Sequence, residues 1–353
     1  MKKINSYKII GVMSGTSLDG IDIAKCIFNK SKGWNYKIEK AVTVKYSSKW
    51  KSILNNLHSK SKKEIYDTDI KYAKLIGNEI NNFLKNDKSD IDFISSHGHT
   101  IFHEPQKKVT LQIGNGQIIA NTTKINTISN FRKLDVDLGG QGAPLVPIGD
   151  YYLYKDYKYC VNIGGFANVS IKKNKNIIAF DICPANIILN YLANKADLEF
   201  DDCGKIGRAG QVNINFLNKL NQLNYYQRGN PKSLSREWLE KNILTMPEIN
   251  ILKNEDLFAT LYEHIGFQIG RVLKDESTCV TGGGAKNTYL CQKIKKHSKS
   301  KIIIADKINL DFKEAMIFGF LGLLKSRDEI NCLKSVTGAS KDCSSGEIHL
   351  PKL

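Results

Sequence analysis

The chain begins with an apolar, β-rich run at residues 7–13, a polar glycine turn at 14–20 and a second apolar run at 21–28, which predicts strand, turn and strand. Residues 47–86 place Ile53, Leu54, Leu57, Ile70, Tyr72, Ala73, Ile76, Ile80 and Phe83 near helical spacing, predicting a helical stretch. A short buried strand at 91–96 ends in Ser-His-Gly-His, and a further strand at 109–113 ends at Gly114-Asn115-Gly116. A second series starts near Tyr159. Strands are predicted at 159–163 and 167–171 around Gly164-Gly165, and at 177–180 ending at Asp181, with a helix at 186–194 opening after Pro184. Helical patterns follow at 211–223 and 256–273. A strand at 277–281 runs into Gly282-Gly283-Gly284, then come a helix at 287–296, a strand at 302–305 and an apolar helix at 312–325.

Both halves therefore open on strands joined by a tight polar turn and continue with alternating strands and helices. The pattern predicts an α/β protein of two similar layered lobes. The lobe boundary is expected between residues 130 and 155, giving an N-terminal lobe over 1–150 and a C-terminal lobe over 151–330. Residues 330–353 are expected to pack back on the first lobe. Polar residues collect where strands end, the place where open α/β sheets bind ligands. No repeat of 20 to 50 residues and no low-complexity linker is present.

Composition changes this picture little. At 353 residues, 41% apolar and 25% charged, the chain has a globular composition and length enough for two domains. The longest apolar stretch, residues 315–324, falls short of the ~20 a membrane-spanning helix needs, so no membrane association is expected. Lys2 and Lys3 precede an apolar run at 9–13 that is too short for a secretory signal and leads into Ser-Gly-Thr-Ser. The net charge of +17 is scattered over lysine runs at 60–63, 172–175 and 293–301 without interleaved aromatics. It reads as a solvated surface, with no nucleic-acid partner expected. Eight cysteines form no CxxC pair, so free thiols in a reducing cytoplasm are expected.

Five constellations carry possible chemistry. The turn Ser14-Gly15-Thr16-Ser17 presents hydroxyls and backbone N–H groups suited to an anion such as phosphate, and Asp19 and Asp22 are placed to hold a hydrated Mg²⁺ beside it. It is no Walker A loop, and an ordinary β-turn is the plain alternative. The run Ser96-His97-Gly98-His99-Thr100 with His103 and Glu104 offers hydrogen-bond donors for a polyhydroxylated or phosphorylated ligand, a zinc ligand set, or plain packing. Against zinc, His97 and His99 are expected on one strand face, with His103 past a turn and no fourth ligand at structural spacing. Arg132 supplies a planar fork for carboxylate or phosphate beside Asp135 and the glycines 139, 140 and 142, or else braces a loop. Asp181 sits at a strand end before a helix, where either a general base or a helix cap is expected. The turn Thr281-Gly282-Gly283-Gly284-Ala285-Lys286-Asn287 suits backbone packing against a nucleotide, or is a plain strand-to-helix turn.

In this order the motifs resemble those of the anhydro-N-acetylmuramic acid kinases, sugar kinases of the actin/hexokinase/Hsp70 ATPase superfamily. The match rests on Met13-Ser-Gly-Thr-Ser-Leu-Asp-Gly-Ile-Asp22, Ser96-His-Gly-His-Thr100, Leu111-Gln-Ile-Gly-Asn-Gly116 and Phe131-Arg132 with Asp135. It continues through Gly139-Gly-Gln-Gly-Ala-Pro-Leu-Val-Pro147, Asn162-Ile-Gly-Gly-Phe-Ala-Asn168, Phe180-Asp181, Pro231-Lys-Ser233 and Arg236-Glu237. Gly282-Gly-Gly-Ala285 with Asn287, Lys313-Glu-Ala315 and Val336-Thr-Gly-Ala339 complete it.

The resemblance implies a two-lobed actin-like, RNase H-like ATPase fold with a central interlobe cleft. It implies phosphorylation of the 6-hydroxyl of 1,6-anhydro-N-acetylmuramic acid by ATP while water opens the anhydro bridge, in peptidoglycan recycling. ATP is then expected on Gly15, Thr16, Ser17, Leu18, Asp19, Gly20, Ile21 and Asp22, and on Gly164, Gly165, Gly282, Gly283, Gly284 and Asn287. Mg²⁺ is expected near Asp19 through water. The sugar is expected on His97, Gly98, His99, Asn115, Arg132, Asp135, Pro184 and Asn186, with Asp181 as the base that activates water. A homodimer in the cytoplasm is implied as well. The chain departs from the family where Thr and Gly are common and Ile182 and Cys183 stand, and at Arg208, where a small residue is expected. Those departures leave open a plain amino-sugar kinase. A nucleotide-switched binding module of the actin or Hsp70 kind and an RNase H-like nuclease are further alternatives.

Overall fold

The computed structural model describes residues 6–15, 17–87, 89–173, 176–230 and 232–352. Thr16 and Pro231, both singled out above, lie outside the described residues. The chain divides into two units, Met1–Leu153 with Phe312–Leu353, and Tyr154–Asp311.

The first unit holds β1 (Ser6–Ser14), β2 (Gly20–Lys30), β3 (Trp34–Lys45), β4 (Phe93–Glu104), β5 (Val109–Ile113), β6 (Thr127–Ser129) and, from the C-terminus, β12 (Glu347–His349). Their order is β12-β6-β4-β1-β2-β3, with β5 pairing β4. β1, β2 and β3 form an antiparallel meander, while β4 lies parallel to β1 and β6 parallel to β4. The second unit repeats the plan with β7 (Tyr159–Ile163), β8 (Phe166–Lys173), β9 (Asn176–Pro184), β10 (Ser277–Thr281) and β11 (Lys301–Ile304), ordered β11-β10-β7-β8-β9. Again three antiparallel strands are followed by two parallel ones. Two copies of this order, each with helices between its later strands, make a duplicated α/β fold.

Side-chain alternation divides the first sheet between two layers. Ile10 and Val12 of β1 pack with Tyr72, Ala73 and Ile76 of the helix Lys62–Leu84. Gly11 points the other way, onto the helix Lys307–Ser326, and a Cβ there would stand 1.9 Å from the Ala315 carbonyl oxygen. Phe28 meets Phe320 of that helix at 5.5 Å, and Ser95 Oγ donates to the Phe318 carbonyl at 2.5 Å. Lys313 pairs with Asp150 at 2.7 Å, both buried. These contacts are why residues from 312 onward cluster with the first unit, whereas the sequence pattern assigned residues up to 330 to the second.

Two expectations are corrected. The helical stretch over 47–86 is two helices, Ser48–Asn56 and Lys62–Leu84, because Ser61 and Glu64 form a capping box that starts the second afresh. The strand expected at 91–96 runs on to Glu104, and His103 lies within it, paired with Thr110, rather than past a turn. β3 was not anticipated. It is the edge of its sheet, largely exposed, so it lacks the apolar run that marks a buried strand. Among the described residues no helix is long and apolar enough to cross a membrane.

Candidate active site

In the first unit the β1–β2 turn is held from below. Ser14 is buried, and its Oγ lies 2.7 Å from the Tyr46 hydroxyl and 2.9 Å from His99 Nδ1, with Tyr46 in turn 2.5 Å from the Tyr72 hydroxyl. Leu18 takes a left-handed backbone (φ 58°), which turns the chain toward Gly20. The side chains that follow differ in fate. Asp19 is exposed, with no partner among the described residues. Ile21 is fully buried in the core, and Asp22 accepts from Thr43 Oγ1 at 2.6 Å. Gly20 sits where a Cβ would stand 2.4 Å from the Val44 carbonyl oxygen, so close approach to β3 accounts for this glycine.

His97 and His99 do not share a strand face. The β1–β4 register shifts between Val12 and Ser14, where Gly98 adopts φ 74°. A Cβ at Gly98 would stand 2.3 Å from the Ile113 carbonyl oxygen. This bulge inserts one residue and turns the two rings apart. His97 stacks on Phe318 at 4.5 Å, and His99 faces Tyr72 at 6.2 Å on the opposite layer. Burial lowers the pKa of His99 to about 4, and burial with the Arg132 charge lowers that of His97 far below the usual range, so both rings are neutral at pH 7. Among the described residues the three histidines form no zinc ligand set.

His97 Nε2 therefore accepts from Arg132 Nε at 2.9 Å, while Nδ1–H donates to the Gly98 carbonyl at 2.9 Å. Arg132 Nη1 donates to the Gly142 carbonyl at 2.6 Å. Burial pulls the guanidinium pKa down to about 10, still charged at neutral pH. Asn115 caps the helix Gly116–Thr123, its side-chain oxygen accepting from Gln117 N and Ile118 N at 3.0 and 3.2 Å. Asp135, expected at the sugar, is fully buried. Its carboxylate accepts from Gly142 N at 2.7 Å, Thr337 Oγ1 at 2.7 Å and Cys332 Sγ at 3.1 Å, which ties the 139–147 loop to the C-terminal segment.

The second unit brings its expected residues close together. The Gly164 and Gly165 carbonyls accept from Asn186 N at 3.2 Å and Ala185 N at 2.8 Å, so the β7–β8 turn is laced to the chain just after Pro184. Asn186 Nδ2 reaches the Ile163 carbonyl at 3.4 Å. Gly282 adopts φ 86° with a Cβ position 2.6 Å from Asn162 Oδ1, whereas the Cβ position at Gly283 has nothing nearer than Asn186 Nδ2 at 3.8 Å. The Gly283 backbone is thus open. Asn287 caps the helix Thr288–His297 through Leu290 N at 3.0 Å and donates to the Tyr262 hydroxyl at 2.8 Å. A cavity of about 490 Å³ opens here, lined by Asn186, Phe200, Tyr262, Gly283, Gly284 and Asn287 among others. Phe200, Asp201 and Tyr262 were not foreseen, because no local motif marks them.

Asp181 lies near the end of β9, half-buried. Oδ2 accepts from Leu234 N at 2.9 Å, and the Asp181 carbonyl accepts from the Tyr225 hydroxyl at 2.5 Å. Oδ1 has no partner among the described residues. Burial raises the carboxyl pKa, and the Leu234 N–H offsets this in part. Both Leu234 and Tyr225 escaped the sequence reading, being 53 and 44 residues away. Asp181 does not cap the following helix, whose N-cap position is Ala185. Ile182 and Cys183, the departures from the family pattern, are buried in the core of the second unit. Arg208 folds onto the helix Thr288–His297, donating to Gln292 Oε1 at 3.0 Å and Thr288 Oγ1 at 3.2 Å.

The second unit thus carries a carboxylate with one oxygen free among the described residues and an open glycine turn beside a cavity suited to a small molecule. The comparison with known proteins narrows this. A family model described as anhydro-N-acetylmuramic acid kinase matches residues 7–351. The anhydro-N-acetylmuramic acid kinase of Sulfurovum sp. (strain NBC37-1) is 31% identical, with 98% of this chain and 100% of that one covered. That of Crocosphaera subtropica is 33% identical, with 97% and 98% covered. Among solved structures, the activator of the 2-hydroxyisocaproyl-CoA dehydratase from Clostridium difficile with bound ADPNP aligns at 13% identity and TM-score 0.44 over 91% of this chain and 97% of that chain. The chain belongs to the anhydro-N-acetylmuramic acid kinase family.

Proposed function

We propose that the protein transfers the γ-phosphoryl group of ATP to O6 of 1,6-anhydro-N-acetylmuramic acid while water opens the anhydro bridge. The product is N-acetylmuramic acid 6-phosphate, a step of peptidoglycan recycling. The observation that carries this reading is Asp181: one oxygen oriented by the Leu234 N–H, the other free, and a pKa raised by burial toward that of an effective base. Water attacks C1 and gives its proton to Asp181. The C1–O6 bond breaks, and O6 takes the phosphoryl group, so no separate acid is needed to protonate the leaving oxygen. Family membership supports the sugar.

The residues fit a magnesium nucleotide. Gly15, Ser17, Leu18, Asp19, Gly20 and Asp22, with Thr16, would cradle the phosphates, and exposed Asp19 would hold Mg²⁺ through water. The open Gly283 backbone and the cavity beside it, with Gly164, Gly165, Gly282, Gly284 and Asn287, would take the nucleoside end. Bound Mg²⁺ would neutralise charge on the transferred phosphoryl. Within the first unit, Arg132, oriented by His97 and the Gly142 carbonyl, would meet the sugar's lactyl carboxylate. The test is incubation with Mg-ATP and the anhydro sugar in ¹⁸O water. ADP together with a 6-phosphosugar labelled at C1 is required, and a phosphosugar without label at C1 rejects the hydrolytic step.

A further inference from the structure

Cys332 and Cys343 face each other across an isolated antiparallel bridge, with reciprocal N–H···O=C bonds of 3.1 and 3.0 Å. A hydrogen-bonded pair of this kind places its Cα atoms ~5.5 Å apart with both side chains on one face, within the common range for disulfides. The two Sγ atoms and an Asp135 carboxylate oxygen all lie within 4.8 Å of one another, and all three residues are buried. We propose that Cys332 and Cys343 are a site of reversible disulfide formation by a hydroperoxide, and that closing the bond releases part of the grip of Asp135 on the 139–147 loop.

Charge favours this over a metal. Two thiolates and a carboxylate around one divalent cation would leave a net negative charge in a pocket where Asp135 is 0% exposed. The other oxygen nearby, Thr337 Oγ1, is a neutral hydroxyl already donating to Asp135. A disulfide leaves the sulfur pair uncharged. As the pair ionises, the single Cys332 S–H turns from Asp135 to the other sulfur; that hydrogen bond, then burial, then the Asp135 carboxylate hold Cys332 as the thiol, and the same bond lowers Cys343, so the thiolate forms at Cys343. Burial admits a small oxidant such as hydrogen peroxide more readily than a bulky disulfide. The Cys343 thiolate sulfur takes OH from peroxide as the O–O bond breaks, and the hydroxide leaving becomes water after protonation. The Cys332 sulfur then displaces the hydroxyl of the sulfenic acid, and its own proton leaves in a second water. Two electrons pass from the two sulfurs to the peroxide.

The consequence is local. The Cys332 S–H no longer reaches Asp135, which keeps two of its three side-chain partners, Gly142 N and Thr337 Oγ1. The full chain carrying Cys203→Ser, which removes the exposed thiol, is treated with a few equivalents of hydrogen peroxide, then unfolded and alkylated. Two fewer thiols should react, with a linked peptide pair containing 332 and 343 that dithiothreitol restores. Hydrogen exchange of the Gly142 amide should quicken about tenfold in the oxidised protein. Cys332→Ser and Cys343→Ser should each abolish the link while retaining a cooperative thermal transition. Full alkylation after peroxide, a link to any other cysteine, unchanged Gly142 exchange in the linked protein, or one equivalent of zinc in the purified protein shielding both thiols would each overturn the proposal.

Discussion

Replacing Asp181 by Asn separates chemistry from stability. The amide keeps an oxygen to accept from Leu234 N, so the local geometry survives, but it takes no proton. Loss of a general base costs ~10²–10⁴-fold in rate, or about 3–5 kcal/mol of barrier. Stability should move the other way. Burial raises the folded-state pKa of Asp181 above its unfolded value. Its contribution to folding is therefore fully present below the unfolded pKa and is lost as pH rises through the folded one, so at neutral pH the buried charge is destabilising. Asn removes that term, and Asp181→Asn should be at least as heat-stable as the parent at pH 7. Asp181→Ala deletes the acceptor of the partly exposed Leu234 N–H and should be less stable than Asp181→Asn by about 1 kcal/mol. The assay pairs coupled ADP release under saturating Mg-ATP and sugar with thermal unfolding. In the parent, kcat/KM should fall as pH drops through a value above that of an ordinary aspartate. Turnover of Asp181→Asn above about a tenth of the parent would refute the base assignment, and a clear loss of stability in that variant would refute the burial argument.

Gly11→Ala forces a methyl against the Ala315 backbone, where nothing flexible can yield, so urea denaturation should show a loss at or beyond the ~1–3 kcal/mol typical of overpacking. A shift within 0.5 kcal/mol, on the order of surface substitutions, would contradict the close packing of β1 on that helix. Ser61→Ala removes a capping box from an exposed helix start and should cost about 1 kcal/mol in thermal unfolding with unchanged kinetics. Asp150→Asn leaves Lys313 without its carboxylate partner in the interior and should cost about 3–5 kcal/mol, most of it recovered on adding Lys313→Met; equal losses in the single and double variants would argue against an ion pair there.

Much of the architecture was legible because its signals are local. Apolar runs of strand length ending at Gly15, Gly114, Gly164 and Gly282 mark strand ends, and the order of those motifs carries the family. What escaped was set by partners far along the chain. β3 exposes most of its residues at a sheet edge, so it lacked a hydrophobic signature. The strand period put His97 and His99 on one face, yet a bulge with Gly98 at positive φ turned them apart, because Ile113 of β5 leaves no room for a Cβ there.

The alternation of strands and helices and the glycine turns between them followed from periodicity and backbone freedom, which act over a few residues. Only the folded chain decided which acids stay available. Asp135 and Asp181 look alike in sequence, but Thr337 and Cys332, 202 and 197 residues away, engage one carboxylate, while the Leu234 N–H leaves half of the other free. The reason is physical: the cost of a buried charge depends on every donor brought near it, and those donors are assembled by packing rather than by neighbours in the chain.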